Sequence, residues 1–184
     1  MTIYIALLRG INVGGKNKIK MADLKLMFEA IGLCEVKTYI QSGNVLFKSK
    51  ETEDALRNKI EHEIESVFGI SVEVILRTSK ELEEIISNCP FSKEEVTEAE
   101  KSSEAVSLYV ALLTHNPLKE NIEVLDSYRS ESDKYYIVGR DVYLLFHNSI
   151  RNSKLANNLN KLKVSTTVRN WNTLSKLDAL AKSY

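Results

Sequence analysis

Apolar residues fall along this chain in two alternating rhythms, and the order of those rhythms occurs twice. Thr2 to Leu8 (Thr-Ile-Tyr-Ile-Ala-Leu-Leu) is β-branched and apolar on both alternating faces, the pattern of a central strand covered on two sides. Met21, Leu24, Met27, Phe28 and Ile31 then recur at helical spacing, with Gly32 as a stop. Val36 to Ile40 and Val45 to Phe47 flank the polar turn Gln41-Ser42-Gly43-Asn44 and predict a β-hairpin. Thr52 followed by Glu53 and Asp54 opens a helix whose Leu56, Ile60, Ile64, Val67 and Phe68 form one continuous apolar stripe up to Gly69. Val72, Val74 and Leu76 predict a fourth strand. Strand, helix, strand, strand, helix, strand is the order of the split-βαβ or ferredoxin-like arrangement.

Thr78 and Glu81 have the spacing of a capping box and open a helix with Leu82, Ile85, Ile86 and Cys89 on one face, ended by Pro90. Ser92 to Glu104 is rich in Glu, Ser and Lys and predicts a solvated, mobile connection. Leu108-Tyr109-Val110-Ala111-Leu112-Leu113 then matches Ile3-Tyr4-Ile5-Ala6-Leu7-Leu8 position by position. A helix with Asn116 as cap and Pro117 in its first turn follows. Tyr135 to Val138 and Val142 to Phe146 flank the turn Gly139-Arg140-Asp141 as a second hairpin. Leu155, Leu159 and Leu162 predict another helix, and Val164 to Val168 another strand. The last helix carries Leu174, Leu177 and Leu180, with Asn172 or Thr173 as its cap. The expected fold is α+β: two tandem ferredoxin-like (βαββαβ) units with antiparallel sheets, a connecting helix and an extra C-terminal helix. Its expected divisions are a first subdomain over 1–77, a helical and acidic linker over 78–104, and a second subdomain with the C-terminal helix over 105–184.

Composition narrows the function classes. Of the 184 residues, 43% are hydrophobic and 27% charged, a globular profile. The 25 basic and 25 acidic side chains cancel, which excludes a general polyanion-binding composition. The charge is uneven, however. Residues 1–49 carry seven basic and three acidic side chains and 147–184 carry seven and one, whereas 50–104 carry seven and fifteen. The run Ile3 to Leu8 is too short for a secretory signal and lacks a preceding cation, and no window reaches the length of a membrane span. Cys34 and Cys89 stand alone, as thiols in a reducing cytoplasm do. His62, His115 and His147 are isolated as well, so no metal and no cofactor are assigned. A cytoplasmic monomer with no membrane partner is expected.

Three polar segments hold the candidate chemistry. In the first, Arg9 to Lys20, glycine-freed backbone amides together with Arg9, Lys16, Lys18 and Lys20 suit an anion at the mouth of the following helix. Gly10 to Asn17 comes close to the phosphate loop Gly-x-x-x-x-Gly-Lys-Ser/Thr. Asn17 replaces the magnesium-binding hydroxyl, though, and the helical pattern starts near Met21 rather than at the lysine. The second segment is the turn with Gln41, Ser42 and Asn44. The third, Ser165 to Thr173, contains Arg169, Asn170 and the only tryptophan, Trp171. Arg can clamp a phosphate or carboxylate, and Trp offers a flat face, although Trp171 suits a core anchor better. An RNA-recognition motif shares the expected topology, but its third strands would need paired aromatics where Asn44 with Leu46 and Arg140 with Val142 stand. Tyr4 and Tyr109 are therefore expected to pack between the two units. No nucleophile has a base implied beside it: Ser42 lacks a histidine or acid, and neither cysteine has a cationic neighbour.

Tyr4 to Asn17, Thr38 to Val45 and Thr167 to Thr173 together resemble the bacterial domain of unknown function family 1697 across nearly the whole chain. The resemblance implies a bacterial, cytoplasmic α+β protein of two subdomains and brings no activity with it. Val168 departs slightly from the family pattern, which often has a second polar position there. The candidate ligand-binding residues are Arg9, Asn12, Gly14, Gly15, Lys16, Asn17, Gln41, Ser42, Asn44, Arg169, Asn170 and Trp171. The leading expectation is binding of an anionic small molecule, a nucleotide, or nucleic acid. The alternatives are an enzyme that orients a small polar substrate with Gln41, Ser42, Asn44 and Asn170, and an interaction module whose loops only shape the fold.

Overall fold

β1 (Thr2–Leu8) and β5 (Leu108–Leu113), the two matching apolar runs, are each an inner strand of a four-stranded antiparallel sheet. The computed structural model describes residues 1–103 and 105–184. The chain divides into one unit of Met1–Glu84 with Lys176–Tyr184 and another of Ile85–Ser175.

In the first unit β1 leads to α1 (Met21–Ala30), the hairpin β2 (Cys34–Tyr39) and β3 (Asn44–Ser49), α2 (Glu53–Phe68) and β4 (Val74–Thr78). The sheet order is β2-β3-β1-β4. Tyr4, Ala6, Leu8, Val45 and Phe47 from the sheet form one core with Leu24 and Phe28 of α1 and Leu56, Ile60 and Ile64 of α2. The alternating residues Ile5, Leu7, Leu46 and Ile75 are at most 1% exposed, so both faces of the strand are buried as its composition demands. Thr52 caps α2 through Ala55 N–H, and Gly69 ends it in the left-handed conformation. The expected apolar stripe of α2 is interrupted at its end: Val67 is 53% exposed and Phe68 half-buried against the core.

α3 (Ser79–Ser87) follows β4 without a loop. Thr78 and Glu81 form the predicted reciprocal cap, with Glu81 Oε2 accepting from Thr78 N–H at 2.8 Å and Thr78 Oγ1 accepting from Glu81 N–H at 3.2 Å. The segment expected to be a mobile connection contains α4 (Lys93–Lys101), with a second capping box at Ser92 and Glu95. Ala99 of α4 is fully buried and Phe91, just before the segment, is buried too, so this acidic stretch is anchored at both places. The last residue of the expected linker, Glu104, lies outside the described residues.

The second unit continues through β5, α5 (Lys119–Asp126), the hairpin β6 (Asp133–Val138) and β7 (Asp141–Phe146), α6 (Lys154–Asn157) and β8 (Thr166–Asn170); α7 (Trp171–Ala181) begins in this unit, and its residues from Lys176 on belong to the first. Its sheet order is β6-β7-β5-β8. α5 starts at Lys119, after Pro117, with Leu118 rather than Asn116 in the cap position. The helix expected from Leu155 to Leu162 is broken into α6 and a 3-10 turn, Leu159–Leu162, that ends at Lys163 with φ 54°. β8 starts two residues later than the apolar pattern suggests and runs straight into α7. Asn170 is therefore the cap, accepting from Thr173 N–H at 2.8 Å, in place of Asn172 or Thr173.

Tyr4 and Tyr109 correct another expectation, since each packs in the core of its own unit. Tyr4 stacks on Phe47 at 5.8 Å among residues of α1 and α2, and Tyr109 tilts against Phe146 at 5.8 Å.

The two sheets share one register. Ile5 lies opposite Arg77 as Val110 lies opposite Arg169, and Leu7 opposite Asn44 as Leu112 opposite Asp141. Past the strand ends, Leu8 N–H donates to Gly43 O and Leu113 N–H to Arg140 O, each at 2.9 Å. Arg9 N–H likewise donates to Glu73 O, and Thr114 N–H to Ser165 O.

Candidate ligand-binding site

The segment Gly10 to Lys20 between β1 and α1 folds as a miniature hairpin. Gly14 and Gly15 have φ 57° and 75°, the left-handed pair that a type I′ turn needs. The chain closes around them, with Lys16 N–H donating to Val13 O at 3.0 Å and Asn12 N–H to Asn17 O at 3.1 Å. Asn17, itself at φ 50°, donates from Nδ2 to Gly10 O at 3.2 Å. The glycines thus serve the turn, and the Asn12 and Lys16 amides are spent on it rather than offered to an anion. Lys16 sits on the hairpin and α1 begins only at Met21, which separates this loop from a phosphate loop in geometry as well as in sequence.

Two apolar side chains and one amide fasten the hairpin. Ile11 and Ile19 are buried at 1% and 3% exposure and join the unit's core. Asn12, at φ 54°, donates from Nδ2 to Ile19 O at 2.9 Å and to Gln41 O at 2.8 Å, while its Oδ1 accepts from Ile19 N–H at 2.9 Å. The glycine loop and the β2–β3 turn are therefore one assembly. Asn44, fully buried, donates to Tyr39 O and to Ser42 Oγ at 3.0 and 2.9 Å and braces that turn. Ser42 thus takes part in turn structure.

Beside the hairpin lies a concavity of about 600 Å³ lined by Asn12, Gly15, Lys18, Ile19, Lys20, Asp23, Gln41 and Phe68. This falls within the roughly 300–1,000 Å³ range of small-molecule sites. Lys18 and Lys20 in the lining, and Lys16 on the hairpin, are exposed and have no acidic partner among the described residues. The side chains of Asp23 and Gln41 likewise make no hydrogen bond or ion pair with described residues. Arg9 is different: its guanidinium is bound to Glu73 at 2.7 Å, which leaves the lysines as the cations open to a ligand.

The Arg-Asn-Trp segment belongs to β8 and the start of α7. Arg169 is buried and donates to Thr167 Oγ1 at 2.8 Å and Val168 O at 3.1 Å. Burial holds its pKa down at about 10. Asn170 is the helix cap already described, and Trp171 is half-buried in the first turn of α7. Arg77, fully buried, stands at the equivalent register in the first unit and donates to the carbonyl of its preceding residue, Leu76, at 2.8 Å. A buried arginine thus stands at both equivalent positions. Asp23 and Phe68 escaped sequence reasoning because an acid in a first helical turn and an aromatic at the end of an apolar stripe both look structural.

With its two four-stranded antiparallel sheets, α-helices and glycine hairpin, the molecule is a mixed α+β protein. It belongs to the family described as Protein of unknown function (DUF1697), whose pattern matches residues 1–143. Its structure is similar to that of the conserved bacterial protein SP0830 from Streptococcus pneumoniae, with a TM-score of 0.70, 25% sequence identity and 98% of both chains covered. No curated protein matches the chain. Among the described residues, no helix is long and apolar enough to cross a membrane and no group of three or more His, Cys, Asp or Glu side chains is placed to hold a metal ion.

Proposed function

We propose that the protein binds an anionic, phosphate-bearing ligand, a nucleotide or a segment of nucleic acid, at the concavity beside the glycine hairpin. The observation that carries this reading is the cluster of Lys16, Lys18 and Lys20, three cations without acidic partners at the edge of a concavity of ligand size. Asn12 supports it by fixing the hairpin in place, so that binding need not order the loop. Arg169, Asn170 and Trp171 take structural roles in this reading, and Arg9 contributes through its ion pair with Glu73. The protein is taken to act as a cytoplasmic monomer.

We read the architecture as two tandem ferredoxin-like units, with 1–77 and 105–184 as the repeats and 78–104 as the connection. The support is the shared strand order, the equivalent register of Arg77 and Arg169, and the matching bonds at the ends of β1 and β5. In this reading the glycine hairpin is an elaboration of the first repeat alone, since the equivalent connection around Thr114 to Pro117 is short.

Fluorescence polarisation of a labelled single-stranded oligonucleotide and of a labelled nucleotide at low salt tests the binding. The combined variant Lys16→Ala, Lys18→Ala, Lys20→Ala is expected to weaken binding by about tenfold or more and to flatten its salt dependence. Equal affinities for the variant and the parent, or no binding by the parent, would sink the reading.

A further inference from the structure

The lining of the concavity is not what a bare polyphosphate requires. Asp23, a carboxylate that only accepts hydrogen bonds, stands in the same lining as Lys18 and Lys20, and no described residue neutralises it. Gln41 adds a side-chain amide able both to donate and to accept, also without a partner. Phe68 adds an aromatic ring that is only half-buried.

These groups ask for three things in one ligand. The lysines ask for an anion, Asp23 for a hydrogen-bond donor, and Phe68 for a flat or apolar surface. Resting on the binding reading above, we infer that the ligand is a mononucleotide carrying an amine on its base. Its phosphate lies on Lys18 and Lys20, its ring against Phe68, and its amine-bearing edge on Asp23 and Gln41. The volume supports a small molecule over a polymer, because about 600 Å³ holds one nucleotide and its solvent. Stacking on an aromatic side chain is the usual means of holding a base, and it tolerates different bases, so the edge contacts must supply the choice. Asp23 gives that choice its sign: it accepts from an exocyclic amine and repels a carbonyl at the same place.

The test is calorimetric titration of the full chain with inorganic phosphate, adenosine, adenosine monophosphate and inosine monophosphate, the last having a carbonyl where the adenine amine stands. Adenosine monophosphate is expected to bind at least tenfold more tightly than phosphate or adenosine alone, and severalfold more tightly than inosine monophosphate. Asp23→Asn should erase the preference for the amine. Phe68→Leu, which keeps the apolar contact with the core, should weaken the nucleotide severalfold and leave phosphate unchanged. If phosphate binds as tightly as the nucleotide and depends on Lys18 and Lys20, the nucleotide inference is overturned and the anion reading stands. A short oligonucleotide that binds a hundredfold more tightly than adenosine monophosphate also overturns it, in favour of a polymer. If none of these anions binds, both fail together.

Discussion

Replacing Gly43 by alanine is expected to destabilise the protein by about 3 kcal/mol and to lower its melting temperature by roughly 10 °C. Gly43 lies in the β2–β3 turn at φ 82°, where an L side chain costs about 1–2 kcal/mol. Space adds to the cost. A Cβ there would lie 2.8 Å from Ile11 Cδ1 and 2.9 Å from both Ile11 Cγ1 and Leu8 Cβ. Leu8 is held in the sheet and Ile11 is the buried foot of the glycine hairpin, so neither can retreat freely. Overpacking of this kind typically costs about 1–3 kcal/mol, offset by the roughly 0.4–1 kcal/mol that alanine gains through the unfolded chain. Thermal unfolding monitored by circular dichroism measures the change. A loss below about 1 kcal/mol would mean that the turn and the hairpin are not packed together as described.

Asn12→Ala is expected to cost somewhat more, about 4 kcal/mol, and to abolish ligand binding as well. The substitution removes two donated bonds and one accepted bond, each worth about 1 kcal/mol, and puts a Cβ-bearing residue without a compensating side chain at φ 54°. Asn12→Gly separates the two contributions. Glycine accepts the backbone conformation and makes none of the bonds, so it should recover only the backbone part, about 1 kcal/mol. Urea denaturation of both variants checks the difference. If alanine and glycine destabilise equally, backbone strain plays no part at this position.

The hairpin shows where sequence patterning is informative and where it stops. β1 and the start of α1 are legible in the sequence, because an apolar run ends at a charged glycine loop and the helical spacing starts near Met21; the helix ends at Ala30, one residue short of the periodic Ile31. α4 was readable in principle through Ser92 and Glu95, whose capping-box spacing competed with an acidic composition that resembles a solvated linker. The glycine loop was located correctly, but its geometry was not readable. Gly14-Gly15 serves equally for a phosphate-cradling loop and for a type I′ turn, and only the bonds Asn12 to Asn17 and Val13 to Lys16 decide between them. Gln41, which lines the concavity, stands out in the sequence because it sits in a polar turn. Phe68 does not, because periodicity places it with Leu56, Ile60 and Ile64, and only the structure shows it half-buried and in the lining. Arg169 shows the same limit: a guanidinium among hydroxyls and amides suggests a ligand clamp, while its burial and its register opposite Val110, the counterpart of Arg77 opposite Ile5, are visible only in the fold.

Amide chemical-shift mapping during titration with adenosine monophosphate tests the central claim most directly, because it reports every residue at once. The largest shifts are expected within residues 12–23 and at Gln41 and Phe68, with saturation in step with the calorimetric binding curve. Saturable shifts confined to residues 85–175 would place the ligand in the other unit and contradict the assignment of the hairpin concavity.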